Sequence, residues 1–130
     1  MSQLIATQEI WSGVLKNSGG PYYTSSDFND MLSRGSTLVV QLIVESTDSP
    51  GAGSFDVTAT YYRSNDGKVW DKDVNFAPKV VVAGTPTFPL TVFGSSDGLP
   101  MRILGSKGRF LLENGGIDNA VVRLIASVRG

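Results

Sequence analysis

Asp71 and Asp73 stand two residues apart, which on an extended strand puts both carboxylates on one face, with Asn75 next in the same row. Oxygen ligands in such a row can hold Ca²⁺. A carboxylate pair can also run glycoside hydrolysis, one group as acid and the other as base or nucleophile. Lys68, Lys72 and Lys79 are close in sequence, so the same pattern equally describes a charged, solvated strand face. Asp27-Phe28-Asn29-Asp30 and Asp97-Gly98 offer more oxygen atoms, but neither has the spacing of a calcium loop. Other chemistry is scarce, because the 130 residues include no Cys and no His. That removes thiolate nucleophiles, disulfides, Ser-His-Asp triads and nearly all catalytic zinc arrangements. The expectation is a protein that is not an enzyme, with no catalytic residues, no metal and no cofactor.

Aromatic residues are the second candidates. Tyr22-Tyr23, Tyr61-Tyr62 and the two Trp residues offer flat faces of the kind that stack on pyranose rings, with Trp70, Tyr62 or Tyr23 as the platform. The alternative use is core filling. Tyr61 and Tyr62 must point to opposite faces of a strand, so at least one meets solvent, and Tyr and Trp are favoured at interfaces. Ser64-Asn65-Asp66-Gly67-Lys68-Val69-Trp70 approaches the Asp-box of sialidases, S-x-D-x-G-x-x-W, but here Asp and Gly are adjacent and the motif occurs once. A hairpin turn followed by a core Trp accounts for it.

The elements that must carry these groups read as strands. Phe55, Val57, Ala59 and Tyr61 alternate with Asp56, Thr58, Thr60 and Tyr62, a period of two that marks one buried and one solvated face. Asn65-Asp66-Gly67 then turns the chain into a second extended run in which Trp70, Val74 and Phe76 share a face. Further strands are expected over Leu4 to Leu15, Leu38 to Glu45 (apolar on nearly both faces, hence central), Lys79 to Ala83 and Phe88 to Phe93. Met101 to Leu104, Arg109 to Glu113 and Ala120 to Val128 complete the set. Pro86 and Pro89 cannot donate to a ladder and place the 88–93 strand at an edge or bulge. Tyr22 to Gly35 admits either a short helical turn capped by Ser26, through Phe28, Met31 and Leu32, or an irregular loop. Eight or nine short strands, at most one helical turn and Gly/Pro/Asn/Asp connections predict an all-β, jelly-roll-like antiparallel β-sandwich. It forms one domain over 1–130, with residues 1–8 as an extended arm.

Charge and hydropathy bound the setting. A net charge of −1 argues against direct nucleic-acid binding. No apolar run approaches the ~20 residues that cross a bilayer, and the first residues lack the pattern of a secretory signal. Synthesis in a cytosol is therefore expected. Leu4 and Ile5 near the start, and Val121 and Ile125 on the nominally polar side of the last strand, would expose apolar surface on an isolated monomer. With Tyr22, Tyr23 and Tyr62 they are the candidate interface.

Three stretches carry a resemblance: Tyr61-Tyr62-Arg63-Ser64-Asn65-Asp66-Gly67-Lys68-Val69-Trp70, Gly108-Arg109-Phe110-Leu111-Leu112-Glu113-Asn114-Gly115-Gly116, and the closing strand Ala120 to Gly130. In this order they resemble small β-sandwich virion proteins of tailed bacteriophages, many of which decorate or cement the outside of the capsid. Discoidin-like and carbohydrate-binding sandwiches share the same hairpin. The resemblance implies a structural virion protein that binds and bridges major capsid protein subunits on the capsid surface, as a homotrimer. A carbohydrate-binding or host-adhesion module is the competing expectation, and a hydrolase using Asp71 and Asp73 a remote third.

Overall fold

Leu38, Val40, Leu42 and Val44 on one strand, and Ala120, Val122, Leu124, Ala126 and Val128 on another, are fully shielded from solvent, while the residues between them are half-buried or exposed. This is the period of two expected from the sequence. The computed structural model describes residues 4–16, 22–24, 28–46, 55–73, 78–82, 87–94, 101–103, 105–116 and 118–130. Their elements are β1 (Leu4–Leu15), β2 (Tyr22–Tyr23), α1 (Phe28–Leu32), β3 (Thr37–Ser46), β4 (Phe55–Ser64) and β5 (Asp71–Lys72). After them come β6 (Lys79–Val82), β7 (Leu90–Phe93), β8 (Met101–Arg102), β9 (Lys107–Asn114) and β10 (Ala120–Arg129). The strand number exceeds the expected eight or nine because β2, β5 and β8 are two-residue pairings that no sequence period can reveal.

Two antiparallel sheets result. The first runs β1-β10-β3-β7, with β8 also on β3; the second runs β2-β9-β4-β5, with β6 also on β4. The pairing is nested. The first strand lies beside the last, the second beside the ninth, β3 beside β7 and β8, and β4 beside β5 and β6. A chain folded back on itself in this way and wrapped into two sheets is a jelly roll, so the expected all-β sandwich is borne out. β3 is central, as its two apolar faces require, and β7 ends its row, as Pro89 just before it suggests. Of the arm expected over residues 1–8, the part from Leu4 onward lies in β1, paired with β10; residues 1–3 lie outside the described residues.

The core fills the space between the sheets. Tyr61 packs against Phe110 at 5.0 Å between ring centroids, and Phe110 against Phe28 at 5.9 Å. Phe28, Met31 and Leu32 are buried, so α1 is the helical alternative for this segment; the Ser26 cap lies outside the described residues. Gly108 shows why β9 carries Gly-Arg-Phe after its first residue. A Cβ there would run into the Tyr61 hydroxyl and come within 2.6 Å of Leu32 Cδ1, so only glycine fits beneath them. The next residue, Arg109, points outward and Phe110 inward. Buried Asn114 ties three strands. Its amide donates to the carbonyls of Leu15 (3.0 Å) and Asp118 (2.7 Å), and its Oδ1 accepts from Gly116 N (3.0 Å) and Asp56 N (3.5 Å). Among the described residues no helix is long and apolar enough to cross a membrane.

Candidate binding faces

Both carboxylate candidates adjoin Arg63. Asp73 is held by Arg63, Nη1 to Oδ2 at 3.1 Å, while Asp71 is exposed opposite Arg63 in the β4–β5 ladder. Asp66 closes the hairpin turn instead of facing a ligand. Its Oδ1 accepts from Lys68 N (2.8 Å), Val69 N (3.0 Å) and Ser64 Oγ (3.0 Å), and Ser64 Oγ in turn accepts from Gly67 N (2.9 Å). The backbone N–H groups of Val69 and Lys68, then the Ser64 hydroxyl, favour the ionised form and lower the Asp66 pKa. Gly67, at φ +76°, takes the left-handed turn conformation that glycine adopts without strain. Asn29, from the acidic 27–30 stretch, uses Oδ1 to accept from Gly108 N at 2.9 Å. Asp27, Asn75, Asp97 and Gly98 lie outside the described residues. Among the described residues no three acidic groups gather where they could hold a metal ion.

Among the described residues, two open clefts border the candidate groups. One, about 420 Å³, lies between the start of β1 and α1 and is lined by Ala6, Thr7, Gln8, Asp30, Met31 and Arg34. The other, about 200 Å³, borders Arg63, Ser64, Asn65, Asp71 and Gly105. Each has a single acidic group in its lining, so neither presents the acid and base of a glycosidase. What the molecule does present is two sheet faces.

On the second sheet the outward aromatics surround a cation. The Arg109 guanidinium lies 4.3 Å from the Tyr23 ring centroid and 4.2 Å from that of Trp70. Tyr62, half-buried, is opposite Arg109 in the β4–β9 ladder and opposite Lys72 in the β4–β5 ladder. Trp70 is therefore not the core residue expected from the hairpin. It precedes the two-residue β5 and turns outward, where a ring over a guanidinium is stabilised by the attraction of cation and π-face. Val74 and Phe76, expected on its face, lie outside the described residues. Tyr22 and Tyr23 part company: Tyr23 is 42% exposed over Arg109, whereas Tyr22 packs on the core, edge-on to Trp11 at 5.7 Å.

On the first sheet, residues directly opposite across the ladders share a face, and the registers lay out the outer one row by row. Leu4 lies by Arg129 and Thr37, and Thr7 by Ser127 and Val39. Glu9 lies by Ile125, Gln41 and Phe93. Ser12 lies by Arg123, Ile43 and Thr91, and Val14 by Val121 and Ser46. Val121 and Ile125 are half-buried among these neighbours, while Leu4 (52%) and Phe93 (57%) stand out into solvent. The side chain of Ile5 lies outside the described residues. The centre of the face is an ion-pair cluster: Arg123 bridges Glu9 at 3.1 Å and Glu45 at 2.9 Å, and bonding to Glu45 first, then Glu9, raises its already high pKa. Thr7 Oγ1 meets Ser127 Oγ at 3.2 Å, and Gln41 Nε2 donates to Thr91 Oγ1 at 2.9 Å.

Sequence reasoning missed Arg109, Phe93, Val14 and the 71%-exposed Val69 as surface groups. For Phe93 a signal existed: if Phe88, Leu90 and Val92 face inward, Phe93 must face out. No family model matches the chain, and neither does any curated protein or solved structure.

Proposed function

We propose that this chain is a structural virion protein that binds the outside of a tailed-phage capsid and stabilises it by bridging major capsid protein subunits, acting as a homotrimer. The observation that supports this reading most is the outer face of the first sheet. It combines protruding Leu4 and Phe93 with half-buried Val14-flanked Val121, Ile125 and Ile43, and its central charge is already paired within the face. Pairing among Arg123, Glu9 and Glu45 lowers the cost of desolvating this face below that of burying the same charges unpartnered.

Strands about 4.8 Å apart and rising about 3.3 Å per residue make this face roughly 500 Å² in projection. That approaches the ~800 Å² each partner contributes to a stable interface. Shared between two shell subunits, it would add contact area across their boundary and raise the cost of separating them. Phe93 and Leu4 would serve as anchors near its margins, and the Thr and Ser hydroxyls as its polar filling.

The test is reconstitution. Shells stripped of this chain should regain resistance to heat and osmotic shock when the wild-type protein is added back. A folded Ile125→Lys or Phe93→Asp variant should not restore it. Stripped shells that withstand both treatments unchanged would refute the role.

A further inference from the structure

We propose that the outer face of the second sheet, remote from the face invoked above, holds a binding site for an acidic sugar, whose carboxylate seats on the edge of Arg109 between Tyr23 and Trp70. Three observations lead there. First, the guanidinium carbon lies over two rings, 4.3 and 4.2 Å from their centroids, which favours its in-plane N–H edge as the part left to take a ligand. That edge is a fork of donors with the geometry of a carboxylate, which it binds through two parallel hydrogen bonds. Second, no carboxylate among the described residues pairs with Arg109, whereas Arg63 and Arg123 both have one. Even Arg109 Nε, out of the reach of water, has no acceptor. Arg129 shares this lack of a carboxylate and an unmet Nε, but Arg109 alone of the two also lies over two aromatic rings.

Third, the surroundings suit a ring that is polar at one end and apolar along its side. Tyr23 is substantially exposed beside the cation, and Tyr62 stands opposite it in the ladder with a hydroxyl to offer. The rings of Tyr23 and Trp70 cannot stack flat on a sugar with the faces that Arg109 occupies. They act as walls that fix the guanidinium plane and meet the sugar's C–H groups at their edges. Fixing that plane in advance removes ordering cost from binding and favours a planar anion over a neutral sugar.

The experiment follows Trp70 emission in a Trp11→Phe background, where Trp70 is the sole indole. Glucuronate, N-acetylneuraminate, glucose, acetate and a glutamate-rich peptide are titrated in turn. Saturable change with either acidic sugar in the millimolar range, without saturation by glucose or acetate, is the expected result. Arg109→Lys keeps the charge between the rings but loses the fork, and should weaken the response roughly tenfold or more. The first titration leaves the site intact, so it stands even where Arg109→Lys fails to fold. No saturation by either acidic sugar, equal saturation by acetate, a response confined to the peptide, or an unchanged affinity in Arg109→Lys would each overturn the proposal.

Discussion

Gly108→Ala should damage the fold through a single added methyl. The added carbon would run into the Tyr61 hydroxyl and lie 2.6 Å from Leu32 Cδ1 and 2.8 Å from Tyr61 Cζ, closer than real Cβ contacts come. Neither neighbour can retreat easily. Tyr61 is fully buried against Phe110, and Leu32 is fixed in α1, so the backbone of β9 must move, at the cost of its bond to Asn29. Overpacking of this kind costs about 1–3 kcal/mol. For a domain of this size each kcal/mol lowers the melting midpoint by roughly 4 °C, so a fall of about 4–12 °C is expected. Tyr61→Phe removes the nearest clashing atom but leaves Cζ and Leu32 in place. The double variant should therefore be less unstable than the two singles summed, with a coupling of about 1 kcal/mol. Urea melts of the four proteins, followed by circular dichroism, measure this directly. A Gly108→Ala protein as stable as wild type, or strictly additive costs, would refute the packing argument.

Burial pushes the Tyr61 hydroxyl up to about 12 from 10.0, because the phenolate is disfavoured in the core. Its folded pKa is raised, so the stability it contributes is complete below pH 10 and is lost as pH climbs from 10 to about 12, by about 3 kcal/mol in total. Alkaline denaturation curves should lose this component in Tyr61→Phe. Asp66 behaves oppositely: its folded pKa is lowered from 3.8, so its contribution is present above that value and disappears as pH falls through the folded one. Asp66→Asn should flatten the acid limb of a stability–pH curve and leave the alkaline limb alone. Asn114→Ala strands the Leu15 carbonyl without its donor and should cost about 1–3 kcal/mol in a chemical melt.

Where a strand is regular, its faces could be read in advance. Ala120 to Val128 alternates without interruption and is buried residue by residue as its pattern demands. β1 could be found but not oriented, because register irregularities between Leu4 and Ala6 and between Glu9 and Trp11 reset its parity. Ile10 and Leu15 are both buried although an odd step separates them, and Val14 consequently faces outward. A core Trp70 presupposes a full strand after the turn; among the described residues the ladder there spans Asp71–Lys72. The Arg109 stack was illegible for a different reason. Its two rings arrive from β2 and from the β4–β5 turn, far apart in sequence, and no local period encodes a contact made across strands. The Gly-Arg-Phe stretch was visible as a motif, but its meaning, room for Tyr61 beneath glycine and a cation outside, exists only in the folded sheet.

Hydroxyl-radical footprinting of the chain, free in solution and mixed with shells of the major capsid protein proposed as its partner, tests the account most directly. Phe93, Leu4, Val14 and Ile125 should become protected on binding, while Tyr23 on the other sheet and Val69 in the β4–β5 turn stay as reactive as in the free protein. Protection of Tyr23 and Val69 with Phe93 and Ile125 unchanged would contradict it.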